Sequence, residues 1–100
     1  MATRNRHRGS SFDRFLRQQG IYEEVQAAAV KRAVAEAIED GMQEAGLTKH
    51  AMAKRMRTSR SQLDRVLDPE YTAVQLDSVV RAAAAIGHEL RISFKKAART

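Results

Sequence analysis

Between Leu47 and Leu67 the chain places Arg60, Ser61, Gln62, Asp64 and Arg65 close together, and their types carry recognisable chemistry. An arginine fork bonds guanine O6 and N7 bidentately, glutamine matches adenine in the same way, and a serine hydroxyl bonds either. Asp64 can accept from cytosine N4 or pair with a nearby arginine. Other constellations carry less. Glu23–Glu24 and Glu39–Asp40 are sequence neighbours, and neighbours on a helix point about 100° apart, which makes a solvated acidic face rather than an acid–base pair. His7, His50 and His88 have no metal-type partner three or four positions on. There is no Cys, hence no disulfide framework, thiolate metal site or Cys nucleophile. No glycine-rich phosphate loop or nucleophile elbow is present. No catalytic residue, metal or cofactor is expected, and the chain does not read as an enzyme.

Those polar residues need a scaffold. Thr48 can cap a helix from Lys49 to Met56, with Met52, Ala53 and Met56 on one face. Ser59 can cap a second helix from Arg60 to Leu67, with Leu63, Val66 and Leu67 inward. Ser59 and Gln62 have capping-box spacing, in which each side chain serves the other residue's orphan N–H. The turn between is three residues, and Ala53 sits where tightly crossed helices demand a small side chain. Two short helices joined this way make a helix-turn-helix. The second helix exposes its N-terminal end, where free N–H groups and the dipole favour phosphate.

The remainder predicts a mainly all-α domain. Ser11 can cap a short helix over Phe12–Gln19, with Phe12, Phe15 and Leu16 on one side and Gly20 at its end. Ile21 to Ala45 carries a helical stripe of Val30, Val34, Ala37, Ile38, Met42 and Ala45. Ile21, Val25 and Ala28 lie on a rotated stripe, which predicts a bend or break near residues 28–30. Gly46 suits the left-handed residue after the helix. Gly41, inside it, costs up to roughly 1 kcal/mol against Ala. Pro69 ends the preceding helix by forcing Asp68 out of the α region. A closing helix follows over 76–86, with Leu76, Val79, Val80, Ala83, Ala84 and Ile86 buried and Gly87 as its stop. Glu89 to Phe94 alternates, with Leu90, Ile92 and Phe94 on one side, and reads as a half-buried β-strand. A lone strand leaves backbone groups unpaired, so it needs an irregular partner nearby or the same strand of a second copy. The expected organisation is a basic tail over 1–11, one domain over 12–94 with the helix-turn-helix at 47–67, and a basic tail over 95–100. The first tail reads as free chain or as an arm lying along DNA.

Composition fits this layout. The chain has 100 residues, 43% of them hydrophobic, 17 alanines and only 5% aromatics, which favours helices packed through small aliphatics. The net charge of +6 is uneven: +4 over residues 1–20, −4 over 21–46, +5 over 47–67 and +1 over 68–100. The positive excess lies on the helix-turn-helix, as an acidic partner such as DNA would require. Few aromatics argue against base-stacking modes of single-strand or RNA recognition. The longest apolar run, Ala82 to Ile86, is far below the ~20 residues of a membrane span, and the N-terminus lacks the apolar stretch of a secretory signal. The absence of Cys fits a reducing cytoplasm.

From Met42 to Leu90 the chain resembles the λ-repressor/Cro-type helix-turn-helix family, often called XRE. The matching residues are Leu47-Thr48, Ala53, Met56, Ser59-Arg60-Ser61, Leu63 and Arg65, then the stretch from Leu76 to Gly87. Its full layout also resembles small antitoxin-like regulators of toxin–antitoxin operons. The family pattern implies base-edge contacts from Arg60, Ser61 and Arg65, and phosphate or flanking contacts from Thr48, Lys49 and Gln62; Ser59 and Arg57 complete the expected DNA-binding set. Two positions depart from it. Arg57 stands where the family usually has a glycine of positive φ, so either the turn differs or Arg57 accepts strain while reaching a phosphate. Gln75 stands at an N-cap where Ser or Thr is usual. The resemblance implies a λ-repressor-like bundle with a long preceding helix, acting on double-stranded DNA as a homodimeric repressor through Leu90, Ile92 and Phe94 or the long helix. The alternative is an antitoxin that masks a small protein toxin and autoregulates its operon.

Overall fold

The computed structural model of the chain describes residues 11–15 and 20–97. Residues 1–10 of the expected basic tail, residues 16–19 of the expected first helix with Leu16, and residues 98–100 lie outside the described residues. Residues 11–15 form helix α1, and Ser11 lies within the helical stretch. Then follow α2 (Ile21–Ala45), α3 (Lys49–Met56), α4 (Arg60–Leu67) and α5 (Leu76–Ala85). The architecture is mainly helical, as composition and periodicity implied.

α3 packs against α4 and α5, and α2 lies across α4 and α5. Their shared core joins Ile38 and Met42 of α2, Met52, Ala53 and Met56 of α3, Leu63 and Val66 of α4, and Ala82 and Ala85 of α5. Met52, Leu63 and Val66 are its largest fully buried side chains. α2 runs unbroken, without the expected interruption near 28–30. Its buried face is Lys31, Ala35, Ile38, Gly41 and Met42. Val30, Ala37 and Ala45 are exposed instead. Likewise α5 buries Ser78, Val79, Ala82, Ala83 and Ala85 and leaves Leu76, Val80 and Ala84 exposed. In both helices the apolar pattern is wider than the contact, and packing selects which edge is covered.

Three of these helices close in one way. Gly46, Arg57 and Gly87 take positive φ, and the N–H groups that follow turn back: Leu47 to Met42 O, Thr58 to Ala53 O and His88 to Ala83 O. This is the left-handed closure that satisfies orphan carbonyls. α4 cannot use it. Asp68 precedes Pro69 and is extended, at φ −82° and ψ 112°. The Lys31 ammonium of α2 supplies the missing donor, to Arg65 O at 2.9 Å and to Asp68 O. Arg55 Nη1 similarly donates to Ala85 O, at the end of α5, at 3.0 Å.

The expected strand over 89–94 is not formed. Residues 88–97 carry neither helix nor strand, and there is no strand among the described residues for them to pair with. The alternating pattern is a property of side chains, whereas a strand needs a ladder partner, and the described residues offer none.

Gly41 is explained by its neighbour. A Cβ there would run into Ile86 Cδ1 and lie 3.1 Å from Ile86 Cβ, so the glycine lets α2 approach the end of α5. Gly41→Ala should lower stability by about 1 kcal/mol, because overpacking of roughly 1–3 kcal/mol exceeds the helix gain. In an Ile86→Ala background the same change should be neutral or stabilising. Urea denaturation of the two singles and the double measures this, and equal effects in both backgrounds would refute the steric account.

Candidate nucleic-acid interface

The helix-turn-helix forms where the residue spacing places it. Thr48 is extended, and its Oγ1 accepts from the Ala51 N–H at 3.1 Å. Ser59 is extended too, and its Oγ accepts from the Gln62 N–H at 3.1 Å. The Gln62 amide oxygen does not complete the reciprocal box. It accepts instead from Arg65 Nη1 at 2.7 Å. Gln75 is the N-cap of α5 and makes no side-chain cap bond.

Arg57 has φ 56° and ψ 49°, so the turn keeps the left-handed geometry that suits glycine, and a side chain there accepts strain. Among the described residues it is the one non-glycine with positive φ. Arg57, His50, Lys54, Thr58, Ser59 and Arg60 surround a shallow depression of about 560 Å³ beside the turn. The cationic side chains of this depression and the α4 N-terminus suit a phosphate.

Two side-chain groups stand on α4. In the first, Asp64 Oδ1 receives Lys49 Nζ at 3.3 Å and faces Arg60 Nε at 4.0 Å. Asp64 is thus paired within the chain. Exposed pairs of this kind contribute little stability. In the second, Arg65 bonds Gln62, and its guanidinium lies 5.9 Å from the centre of the Tyr71 ring. Ser61 is exposed between the two groups. Thr48 and Ser59 are exposed caps at the two helix starts. Leu90, Ile92 and Phe94 are not part of this surface. Leu90 and Ile92 border an apolar groove of about 740 Å³ with Val30, Val34, Val74 and Leu76. Phe94 is almost fully exposed.

Sequence reasoning assigned no contact to Lys31, Arg55 or Tyr71. Lys31 had a signal. It falls on the buried α2 stripe with Ala35, Ile38 and Met42, and a lysine on an apolar stripe must find acceptors. It is only 3% exposed. Burial pushes its ammonium below the ordinary value of 10.5, and the Asp68 charge opposes that shift. No helix among the described residues is long and apolar enough to cross a membrane.

Lys31→Met should cost about 1–3 kcal/mol, because the α4 carbonyls lose their donor. Between the lowered folded pKa and 10.5 the unfolded chain binds more protons at Lys31, so its contribution to stability rises with pH there. The stability gap between wild type and Lys31→Met should therefore widen as pH rises toward 10.5, and a constant or narrowing gap would contradict this account. Arg57→Gly should raise stability by about 1 kcal/mol through relief of the left-handed strain, with thermal melts of the two proteins as the readout. Comparison with protein-family models, curated proteins and solved structures found no match to this chain.

Proposed function

We propose that the chain is a sequence-specific regulator of transcription that binds double-stranded DNA, a repressor of the λ-repressor/Cro type with α4 in the major groove. The observation that carries this reading is the α3–turn–α4 unit. Its second helix is capped at Ser59 and exposes Arg60, Ser61 and Arg65 on one side. The +5 charge of residues 47–67 supports it. In this reading Arg60, Ser61 and Arg65 meet base edges, while Thr48, Lys49, Arg57, Ser59 and Gln62 lie toward phosphates and flanks. One domain reads few base pairs, so two half-sites and a homodimer follow. The Leu90–Ile92–Phe94 segment pairs with its copy across the dimer, which supplies the ladder the single chain lacks. Such a regulator works in the cytoplasm.

A second reading has its own observation. Phe12, Phe15, Val25, Ile92 and Phe94 are each at least half exposed. Apolar side chains left in water in this number mark an interaction surface, and an antitoxin would use it to mask a small toxin while also repressing its own operon.

Gel shifts on genomic fragments with a salt titration test the first reading. Binding should weaken by about 0.9 log units per log unit of salt for each phosphate neutralised. Arg60→Ala with Arg65→Ala should abolish operator binding while leaving the circular dichroism spectrum and capture of the neighbouring reading frame's product unchanged. No salt-sensitive binding to any duplex would refute it.

A further inference from the structure

Three contacts converge on Arg65 on the exposed side of α4. Its backbone carbonyl accepts from the buried Lys31 ammonium at 2.9 Å. Its Nη1 donates to Gln62 Oε1 at 2.7 Å. Its guanidinium carbon lies 5.9 Å from the Tyr71 ring centre, within cation–π reach. Tyr71 comes from the loop after α4 and is tied back to that helix, its N–H donating to Asp68 O at 3.1 Å. Backbone and side chain are therefore fixed by three elements: α2, α4 and the loop. By contrast Arg60 meets Asp64 only at 4.0 Å.

An arginine carries five N–H donors. One is engaged by Gln62, and the others include the fork that fits guanine O6 and N7. A side chain with as much rotamer freedom as arginine loses it on binding, unless the free protein has already ordered it. We propose that Tyr71 is a specificity-determining positioning residue: with Gln62 it orders Arg65 before DNA arrives, and it thereby sets the preference for guanine at the base pair Arg65 meets. This rests on the DNA-binding reading above. Tyr71 touches no base in this scheme and acts through Arg65 alone. The aromatic ring supplies the effect, not the phenol hydroxyl.

Selection from a random-sequence duplex pool, followed by single-base-substituted duplexes of the selected site, tests this with wild type, Arg65→Ala, Tyr71→Ala and Tyr71→Phe. Arg65→Ala should remove the guanine preference at one position of each half-site. Tyr71→Ala should lower the preference at that same position about fivefold, the scale of a single cation–π contact. It should leave the other positions and the salt slope unchanged. Tyr71→Phe should keep the wild-type preference within about twofold, since its ring retains the same face. A purely structural role would weaken all positions together, and that outcome overturns the proposal, as does an unchanged preference in Tyr71→Ala. Failure of the wild-type chain to enrich any duplex overturns the DNA-binding reading itself, and this inference with it.

Discussion

The C-terminal end of α4 depends on one buried cation. An eight-residue helix is too short to persist alone, and its ends leave four N–H and four carbonyl groups without partners. Ser59 serves the first end. At the second, Pro69 removes an N–H and holds Asp68 extended, so the closure used at Gly46, Arg57 and Gly87 is out of reach. The Lys31 ammonium reaches across from α2 to fill that gap. Burial opposes its charge and outweighs the favourable Asp68 carboxylate, while two carbonyls accept its hydrogen bonds. The long acidic helix is therefore the strut that keeps the candidate reading helix in place.

The same logic recurs on a smaller scale. Arg55 completes the end of α5 from α3, so two basic residues of this basic chain serve helix ends rather than a partner. Gly41 and the alanines of α5 let helices meet through small contacts, with Met42, Met52 and Met56 filling irregular space around Leu63 and Val66. Among the described residues, left-handed strain falls on Arg57 alone, where a glycine would be easier. A residue that accepts strain beside a cation-rich depression is consistent with a role outside folding.

Apolar residues outside the core form the other half of the chain's character. The buried face of α2 begins only at Lys31, while Ile21, Val25 and Val30 before it are exposed. Leu76, Val80, Ile92 and Phe94 are exposed as well. The radius of gyration is 17.8 Å, against about 13 Å for a compact domain of this length. Among the described residues the buried core gathers around the helix-turn-helix, and these apolar side chains lie outside it.

The sequence by itself determined the local features. Thr48 and Ser59 start α3 and α4, Pro69 ends α4, Gly46 and Gly87 close α2 and α5, and Met52, Met56, Leu63 and Val66 face inward, because capping, proline sterics and short-range periodicity act within a few residues. The same locality put Arg60, Ser61 and Arg65 on the exposed side of α4. Only the tertiary structure decided which edge of the α2 and α5 stripes is covered, since both are broader than the contact they make. It also decided that Gln62 turns to Arg65 instead of Ser59, that Asp64 is held by Lys49 and Arg60, and that residues 89–94 find no strand among the described residues to pair with. Lys31 marks the boundary most plainly. Its place on an apolar stripe was visible, but its acceptors lie more than thirty residues away in the chain, and no local rule connects residues so far apart.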